Sequence, residues 1–439
     1  MGAEELRAKL VASLVETARI RTPAVERAFR AVPRHLFLPG SSLEQAYLDE
    51  AVATKWHDGI AISSASQPSM MAIMLEQLEL RPGHRVLEIG TGTGYNAALM
   101  ARIVGPSGGI VAVDIDEDLT ETAAAHLREA GADVRVVAGG TELGGAVGAG
   151  ATAGAAPITL ATRDGALGYE ELALYDRIVL TVGSWDIQPE WWRQLAPGGR
   201  LLLPLSVRGS HLSVAFDLVE GPGAVLRSVS VRSCAFVRLR GRGVGPEPTR
   251  AVADGLTVQA RDGRELDTGL IARMLDEQGT RRPTPVRLSA VDLWDGFGLW
   301  LAVHEPDACR FLVSASCERY RALSLLPAGP DGGTMAIVGS DGLAVLVAQG
   351  PPGSSGRFPV AVLPCGPGGE SLADLLAERL GQWLDAGRPG AVELRLLVHP
   401  ETGEPAELTP GAAAVHKGHT WLELEWPGAR TPVHPKLGA

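Results

Sequence analysis

The chain has 439 residues, 45% of them hydrophobic and 21% charged, with a net charge of −11. That length exceeds one ordinary core and predicts two domains. The acidic balance, with no basic block, argues against a nucleic-acid groove.

No apolar run approaches the roughly 20 residues that cross a bilayer, so no membrane partner is expected. The start Met1-Gly2-Ala3-Glu4-Glu5 is acidic and lacks a secretion-signal core. Cys234, Cys309, Cys317 and Cys365 have no metal-ligand spacing and read as buried thiols of a reducing, cytoplasmic compartment, with no metal.

Leu6, Leu10, Val11, Leu14 and Val15 recur at helical spacing and predict an amphipathic helix over 4–19. Pro23 opens a second helix, with Val25, Ala28 and Phe29 on one face, that stops before Pro33. Residues 46–72 carry Trp56-His57-Asp58-Gly59 and a serine cluster (Ser63, Ser64, Ser66, Ser69) around Pro68. The cluster reads as a loop and N-cap ahead of a helix that buries Met70, Ile73, Met74, Leu75 and Leu78.

The stretch from Val86 to Ala97, Val-Leu-Glu-Ile-Gly-Thr-Gly-Thr-Gly-Tyr-Asn-Ala, reads as a short buried strand, a glycine turn and a helix. Gly90, Gly92 and Gly94 allow a tight turn and close approach to a ligand, and the helix starts with unpaired N–H groups facing it. Glu88, just before the first glycine, repels a pyrophosphate but suits a cationic or hydroxyl-bearing ligand. This favours S-adenosylmethionine, with its ammonium, sulfonium and ribose, over a nicotinamide dinucleotide. A second strand, Ile110–Asp114, ends about 20 residues later in a carboxylate placed to accept the ribose hydroxyls.

A helix follows from Leu119 to Ala130. Residues 138–157 hold almost no large side chains and read as a flexible surface insertion. The alternation resumes with Ile158–Thr162 before Asp164-Gly165, then Tyr175–Val182, a short helix at Trp191-Trp192 ending at Pro197, and a strand at Arg200–Leu205. Strand–helix alternation of this kind predicts an open parallel sheet with helices on both faces and a ligand at the carboxyl ends of its strands.

From Leu212 the pattern changes to short alternating segments, Leu212–Val219, Leu226–Val231 and Ala235–Leu239, followed by a linker candidate at Gly241–Pro248. Beyond it lies an α+β region. Gly339-Ser340-Asp341-Gly342 between Thr334–Val338 and Leu343–Val347 is a hairpin signal. Leu372 to Leu384 has helical periodicity, and Val392–Val398 reads as a strand. His304, His399, His416 and His419 show no convincing ligand spacing.

Several of these motifs, in order, resemble protein-L-isoaspartate O-methyltransferases: Val32-Pro33-Arg34…Phe37, Ala46-Tyr47…Asp49, Ser66-Gln67-Pro68, Val86–Ala97, Asp114, Asp164-Gly165, Tyr175-Asp176 and Leu195–Arg200…Pro204. The resemblance covers roughly residues 5–210. A narrower one, at Thr181–Ile187, Pro204-Leu205…Arg208-Gly209 and Phe297–Ala302, is to the larger methyltransferases of "FxLD" lanthipeptide systems. Related enzymes act on ribosomally made, modified peptides such as lanthipeptides and graspetides, methylating an Asp that closes to an aspartimide or rearranges to isoaspartate.

The resemblance implies a class I S-adenosylmethionine methyltransferase, a Rossmann-like doubly wound α/β sheet over 1–240, with N-terminal helices and a substrate loop over 1–65. The C-terminal α+β domain, 250–439, would recognise peptide. The cofactor would leave as S-adenosyl-L-homocysteine. Glu88, Gly90, Gly92 and Gly94 would hold its methionine side, Asp114 its ribose, and Asp164 and Gly165 its adenine, with Ser66, Gln67, Thr91, Thr93, Tyr95, Ile115 and Val182 around it. Ser66 would orient the acceptor carboxylate, aided by Lys55, His57, Ser64, Trp185, Arg208 and His211.

The leading expectation is an Asp carboxyl methyltransferase acting on a modified, macrocyclic precursor peptide. General isoaspartyl repair is the alternative, and a non-catalytic cofactor-binding scaffold is a reading of another class.

Overall fold

The structure, a computed structural model, describes residues 1–138, 141–143, 154–221, 224–246, 249–260, 264–329, 332–401 and 408–428. Helices α1 (Ala3–Glu16) and α2 (Pro23–Ala31) open the chain, and a single turn, α3 (Leu43–Ala46), follows. The expected loop at 46–72 is instead a hairpin, β1 (Val52–His57) and β2 (Ile60–Ala65), before α4 (Pro68–Leu78). The physical reason is Asp58-Gly59. Both residues take positive φ (48° and 75°), the conformation a two-residue hairpin turn demands. Ser63 and Ser64 therefore sit on a strand, and Gln67 rather than a serine caps α4, without a side-chain bond.

The alternation expected from the sequence follows as β3 (Arg85–Ile89), α5 (Tyr95–Val104), β4 (Gly109–Asp114), α6 (Glu117–Glu129), β5 (Val134–Ala138), β6 (Thr141–Leu143), β7 (Ile158–Thr162), β8 (Tyr175–Leu180), α7 (Pro189–Arg193) and β9 (Leu195–Val207). Most of the expected 138–157 insertion lies outside the described residues. Antiparallel β10 (Ser210–Val219) and β11 (Val225–Ser233) come next. The segment Ala235–Leu239 is not a strand. It joins the sheet only through a parallel bridge from Arg238 to Gly183.

The C-terminal half contains β12 (Thr249–Ala253), β13 (Leu256–Ala260), α8 (Thr268–Asp276), β14 (Arg282–Leu288), α9 (Gly298–His304), β15 (Ala308–Val313), β16 (Gly333–Val338), β17 (Leu343–Ala348), β18 (Phe358–Cys365), α10 (Gly369–Asp385), β19 (Arg395–Pro400), β20 (Ala413–His416) and β21 (Thr420–Glu425). The expected 334–347 hairpin is β16–β17, with Val338 opposite Leu343. No helix among the described residues is long and apolar enough to cross a membrane.

Two sheets result. The first has the order β20-β21-β19-β11-β10-β9-β8-β3-β4-β7-β5-β6. Its centre, β9-β8-β3-β4-β7-β5, is parallel, as the doubly wound class I fold requires. The second is an antiparallel sheet of order β12-β13-β15-β16-β17-β18-β14.

On one face of the first sheet, α1, α2, α4, α5 and α6 bury Leu10, Phe29, Met74, Leu99 and Leu127 against Ile110 and Leu160. On the other, a single core runs from Leu87, Ile178 and Leu203 through Phe216 to Trp300, Trp383, Val398 and Leu422. The C-terminal half thus shares a core with the parallel sheet, and β19 pairs directly with β11 at Leu226–Val398.

Val398 is fully buried in this shared core. Val398→Asp is expected to cost about 3 kcal/mol or more, because a carboxylate would enter apolar surroundings unpaired. Urea unfolding followed by tryptophan fluorescence should show a lowered midpoint. The cofactor cavity, probed by S-adenosyl-L-homocysteine binding, should be lost in that same transition.

Candidate active site

The carboxyl ends of β3 and β4 face a cavity of about 70 Å³. It is roofed by the β1–β2 hairpin and by residues 237–240. Glu88, next to last in β3, is fully buried, and the Nδ2 of Asn96, in the first turn of α5, donates to its Oε1 at 2.7 Å. Burial pushes the Glu88 carboxyl up to about 8, against the opposing effect of the Asn96 bond and with a further push from Asp114.

Asp114 ends β4. Its Oδ2 accepts from the Gly92 N–H at 3.0 Å and its Oδ1 from the Asp116 N–H at 3.3 Å. Burial raises its pKa too, and these two bonds oppose the shift.

Buried polar atoms lacking a protein partner gather around this cavity: Glu88 Oε2, Thr91 Oγ1, Asn96 Oδ1 and Arg34 Nη1. Each such atom is costly unless a ligand or water satisfies it. Two carboxylates and neutral acceptors suit a ligand with an ammonium, a sulfonium and a ribose, and the helix N-terminus suits the same ligand's carboxylate. These residues therefore fit S-adenosylmethionine.

Of the expected cofactor residues, Ser66, Glu88, Gly90, Thr91, Gly92, Thr93, Tyr95, Asp114, Ile115, Gly165 and Val182 line the cavity. Three do not. Gly94 caps α5 with φ 85°, and a Cβ there would lie 3.1 Å from Leu127, so its role is helix packing. Gln67 donates its Nε2 to the Asp49 carbonyl at 2.9 Å. Asp164 is taken up by backbone, accepting from the Ala166 N–H at 3.0 Å and the Arg242 N–H at 2.8 Å. It holds the 241–243 turn in place and does not line the cavity, whereas Gly165 does.

The expected acceptor residues scatter. Ser64 lines the cofactor cavity with Ser66. Lys55 turns away to pair with Asp116 at 2.8 Å and Asp118 at 2.7 Å. His57 is 76% exposed beside the hairpin turn. Trp185 and His211 line an adjoining cavity, and Arg208 a third. Burial first, then Arg310 and Arg238, lower the His211 pKa, so His211 does not supply the positive potential expected of it near neutral pH.

Several functional residues lie beyond the reach of the sequence reading. Arg34 is buried, donates from Nε to the Ala46 carbonyl and from Nη2 to the Ser66 carbonyl, both at 3.0 Å, and lies 5.1 Å from the centre of the Tyr95 ring. It fixes the backbone at Ser66 and lines the cavity. Asp116 joins the roof together, accepting from Lys55 on β1 and in bidentate fashion from Arg240 at 3.2 and 2.7 Å. The only local signal was Arg34 within Val-Pro-Arg. For Asp116, the partners are 61 and 124 residues away.

The family model for Protein-L-isoaspartate(D-aspartate) O-methyltransferase matches residues 5–243. The protein-L-isoaspartate O-methyltransferase of Methanopyrus kandleri is 33% identical over 244 residues, covering 55% of this chain and 94% of that protein. Protein-L-isoaspartate O-methyltransferase 1 of Archaeoglobus fulgidus is 37% identical over 218 residues, covering 50% and 86%. A solved structure of a protein-L-isoaspartate O-methyltransferase superimposes with a TM-score of 0.47 at 21% identity, covering 90% of this chain and 96% of that one. Among the described residues, no cluster of His, Cys, Asp and Glu could hold a metal ion.

With its pKa near 8, Glu88 is mostly protonated at pH 7 and must lose its proton to face a cation. Binding of S-adenosylmethionine at pH 7 should therefore release about 0.9 proton from this group. Affinity should weaken as pH falls below about 8, because protons compete with the ligand. Calorimetry in two buffers of different ionisation enthalpy measures the release. Glu88→Gln should remove this component and flatten the pH dependence.

Proposed function

Because the chain belongs to the protein-L-isoaspartate(D-aspartate) O-methyltransferase family, we propose that it esterifies the side-arm carboxylate of an isoaspartyl residue in a protein or peptide. The observation that carries this reading is the cavity itself. Ser66 and the unpartnered Nη1 of Arg34 line it together with Glu88 and Asp114. Bound S-adenosylmethionine supplies an electrophilic methyl group.

A carboxylate acceptor is already ionised near neutral pH, so the protein needs no general base. Its task is to align the acceptor and keep water out, the terms that dominate when two opposite charges are consumed. Glu88 and Asn96 would dock the cationic amino-acid end, and Asp114 the ribose hydroxyls. The Ser66 hydroxyl would orient the acceptor, on backbone that Arg34 holds still.

A second reading is favoured by one observation, the 196 residues beyond the family match, which place Gln259 on a cavity that shares Arg238 and Leu239 with this one. In it the acceptor is an Asp in a ribosomally made, modified precursor peptide, as the "FxLD" resemblance suggests. The backbone nitrogen of the next residue then attacks the ester carbonyl, a C–N bond forms, and methoxide leaves and takes up the nitrogen's proton as methanol. The product is an aspartimide, which water reopens to isoaspartate.

Incubation with S-adenosylmethionine, followed by mass spectrometry, tests both readings. A linear isoaspartyl peptide should gain one methyl group if the first holds. Gain of methyl and then loss of methanol on a macrocyclic Asp peptide, with no turnover of the linear one, would replace it by the second. Ser66→Ala should lower kcat/KM about 10- to 100-fold and leave S-adenosyl-L-homocysteine affinity close to that of the parent.

A further inference from the structure

One cation that lines the methylation site has no counter-charge. Arg34 is 1% exposed, and its Nε and Nη2 donate to the Ala46 and Ser66 carbonyls, while Nη1 has no partner. Both carbonyls are neutral, so they hold the guanidinium without cancelling its charge. Asp49 is the carboxylate that acts on it, but its Oδ1 accepts from the Ser69 N–H at 2.7 Å and forms no ion pair with Arg34. Burial lowers the Arg34 pKa, and Tyr95, Asp49 and Tyr47 oppose the shift. A guanidinium stays protonated at neutral pH all the same.

Glu88 does not neutralise it either. Its Oε2 is also without a partner, and near pH 7 most of this carboxyl is protonated. The cavity lined by both residues therefore has an unmet cationic donor and a separate unmet acceptor. Arg34 lies 5.1 Å from the centre of the Tyr95 ring, and Tyr95 is the first residue of α5. The unpaired N–H groups of that helix add partial positive charge to the same corner. A buried charge without a partner is costly, and an anionic oxygen at Nη1 would satisfy the donor and the charge together.

We propose that Arg34 is a carboxylate receptor of this site, with Nη1 binding a carboxylate of a bound ligand at the start of α5. The proposal rests on the reading that the site methylates a peptide carboxylate, which brings two such groups there. One is the methionine carboxylate of the cofactor, beside the helix start. The other is the acceptor carboxylate, beside Ser66, whose carbonyl Arg34 already holds. In either case Arg34 binds and orients, and takes no part in proton transfer.

Two ligand pairs, measured on the full chain, test this. The first is S-adenosyl-L-homocysteine against its decarboxylated analogue, which keeps the amine and the nucleoside. The second is an isoaspartyl peptide against the same peptide with its side-arm carboxylate as the amide, both in saturating S-adenosyl-L-homocysteine. In at least one pair the carboxylate member should bind the parent at least tenfold tighter. Arg34→Gln should cut that ratio about tenfold, and Arg34→Lys, which keeps the charge, should recover part of it. The members lacking the carboxylate should bind the variants within about threefold of the parent. A changed ratio in the first pair assigns the cofactor's carboxylate, and in the second the acceptor's.

A parent protein that prefers the carboxylate member in neither pair overturns the proposal without any variant. Ratios that Arg34→Gln leaves intact overturn it too, as does an equal loss for both members of each pair, which marks Arg34 as structural only. Methyl transfer is read separately. Transfer to the isoaspartyl peptide with both ratios unchanged by Arg34→Gln removes the receptor alone. A changed cofactor ratio with no transfer to any peptide removes the methylation reading and keeps the receptor.

Discussion

A carboxylate buried at the end of a central strand is the constraint around which the rest of the cavity is arranged. Glu88 has no solvent access and one hydrogen bond, from Asn96. Its charged form is stable only when a cation is present. Asp114 at the next strand end raises the demand, since two carboxylates so close cannot both ionise cheaply. Helix α5 starts at the same place, so its unpaired N–H groups add a fixed partial positive charge. The protein holds this arrangement because the strands below bury Val86, Leu87, Val111 and Ile178 and are locked in parallel register, Glu88 opposite Ala112 and Val179.

The roof is held by ion pairs as well as by the packing of Leu239 and Ala65. Asp116, with little exposed surface, draws Lys55 from the hairpin and Arg240 from the segment after β11. Both cations lower its pKa, Arg240 foremost. The loop after β8 is fixed differently. Asp186 accepts from the His419 N–H and the Thr420 hydroxyl, and the Lys417 ammonium lies 4.9 Å from the Trp185 ring centre. The β20–β21 turn therefore reaches the cavity lined by Trp185 from the far end of the chain.

Local pattern carried the parallel core and the cofactor. The run Val86–Ile89, the glycine turn and Asp114 are contiguous signals whose geometry follows from strand, turn and helix rules. The β16–β17 hairpin was legible for the same reason. What could not be read depends on partners far apart in sequence. The sequence reads Val392–Val398 as a strand, but does not say that it returns to the first sheet and pairs with β11 rather than with the second.

Asp164 looked like a ligand contact because it ends a strand beside Gly165. Only the fold shows that the Arg242 N–H, 78 residues on, has claimed it. The motif Val-Pro-Arg marked Arg34, but an arginine in sequence says nothing about which carbonyls it meets, here that of Ser66. The hairpin at Asp58-Gly59 is a different case. Its turn signal was present, and the serine cluster after it drew attention away.

The pairing of β11 with β19 also orders events during synthesis. All strands of the parallel core and its antiparallel extension have emerged once residue 233 is made, but the partner of that edge begins at residue 395. At ordinary translation speed, the intervening chain of roughly 160 residues takes about 10 to 30 s to appear. Through that interval β11 presents open backbone and one face of the sheet lacks its cover, including Leu226 and Val231. Such an edge invites pairing with other chains. A nascent protein of this design thus depends on the ribosome or a chaperone to shield an edge that the finished molecule seals with its own last strands.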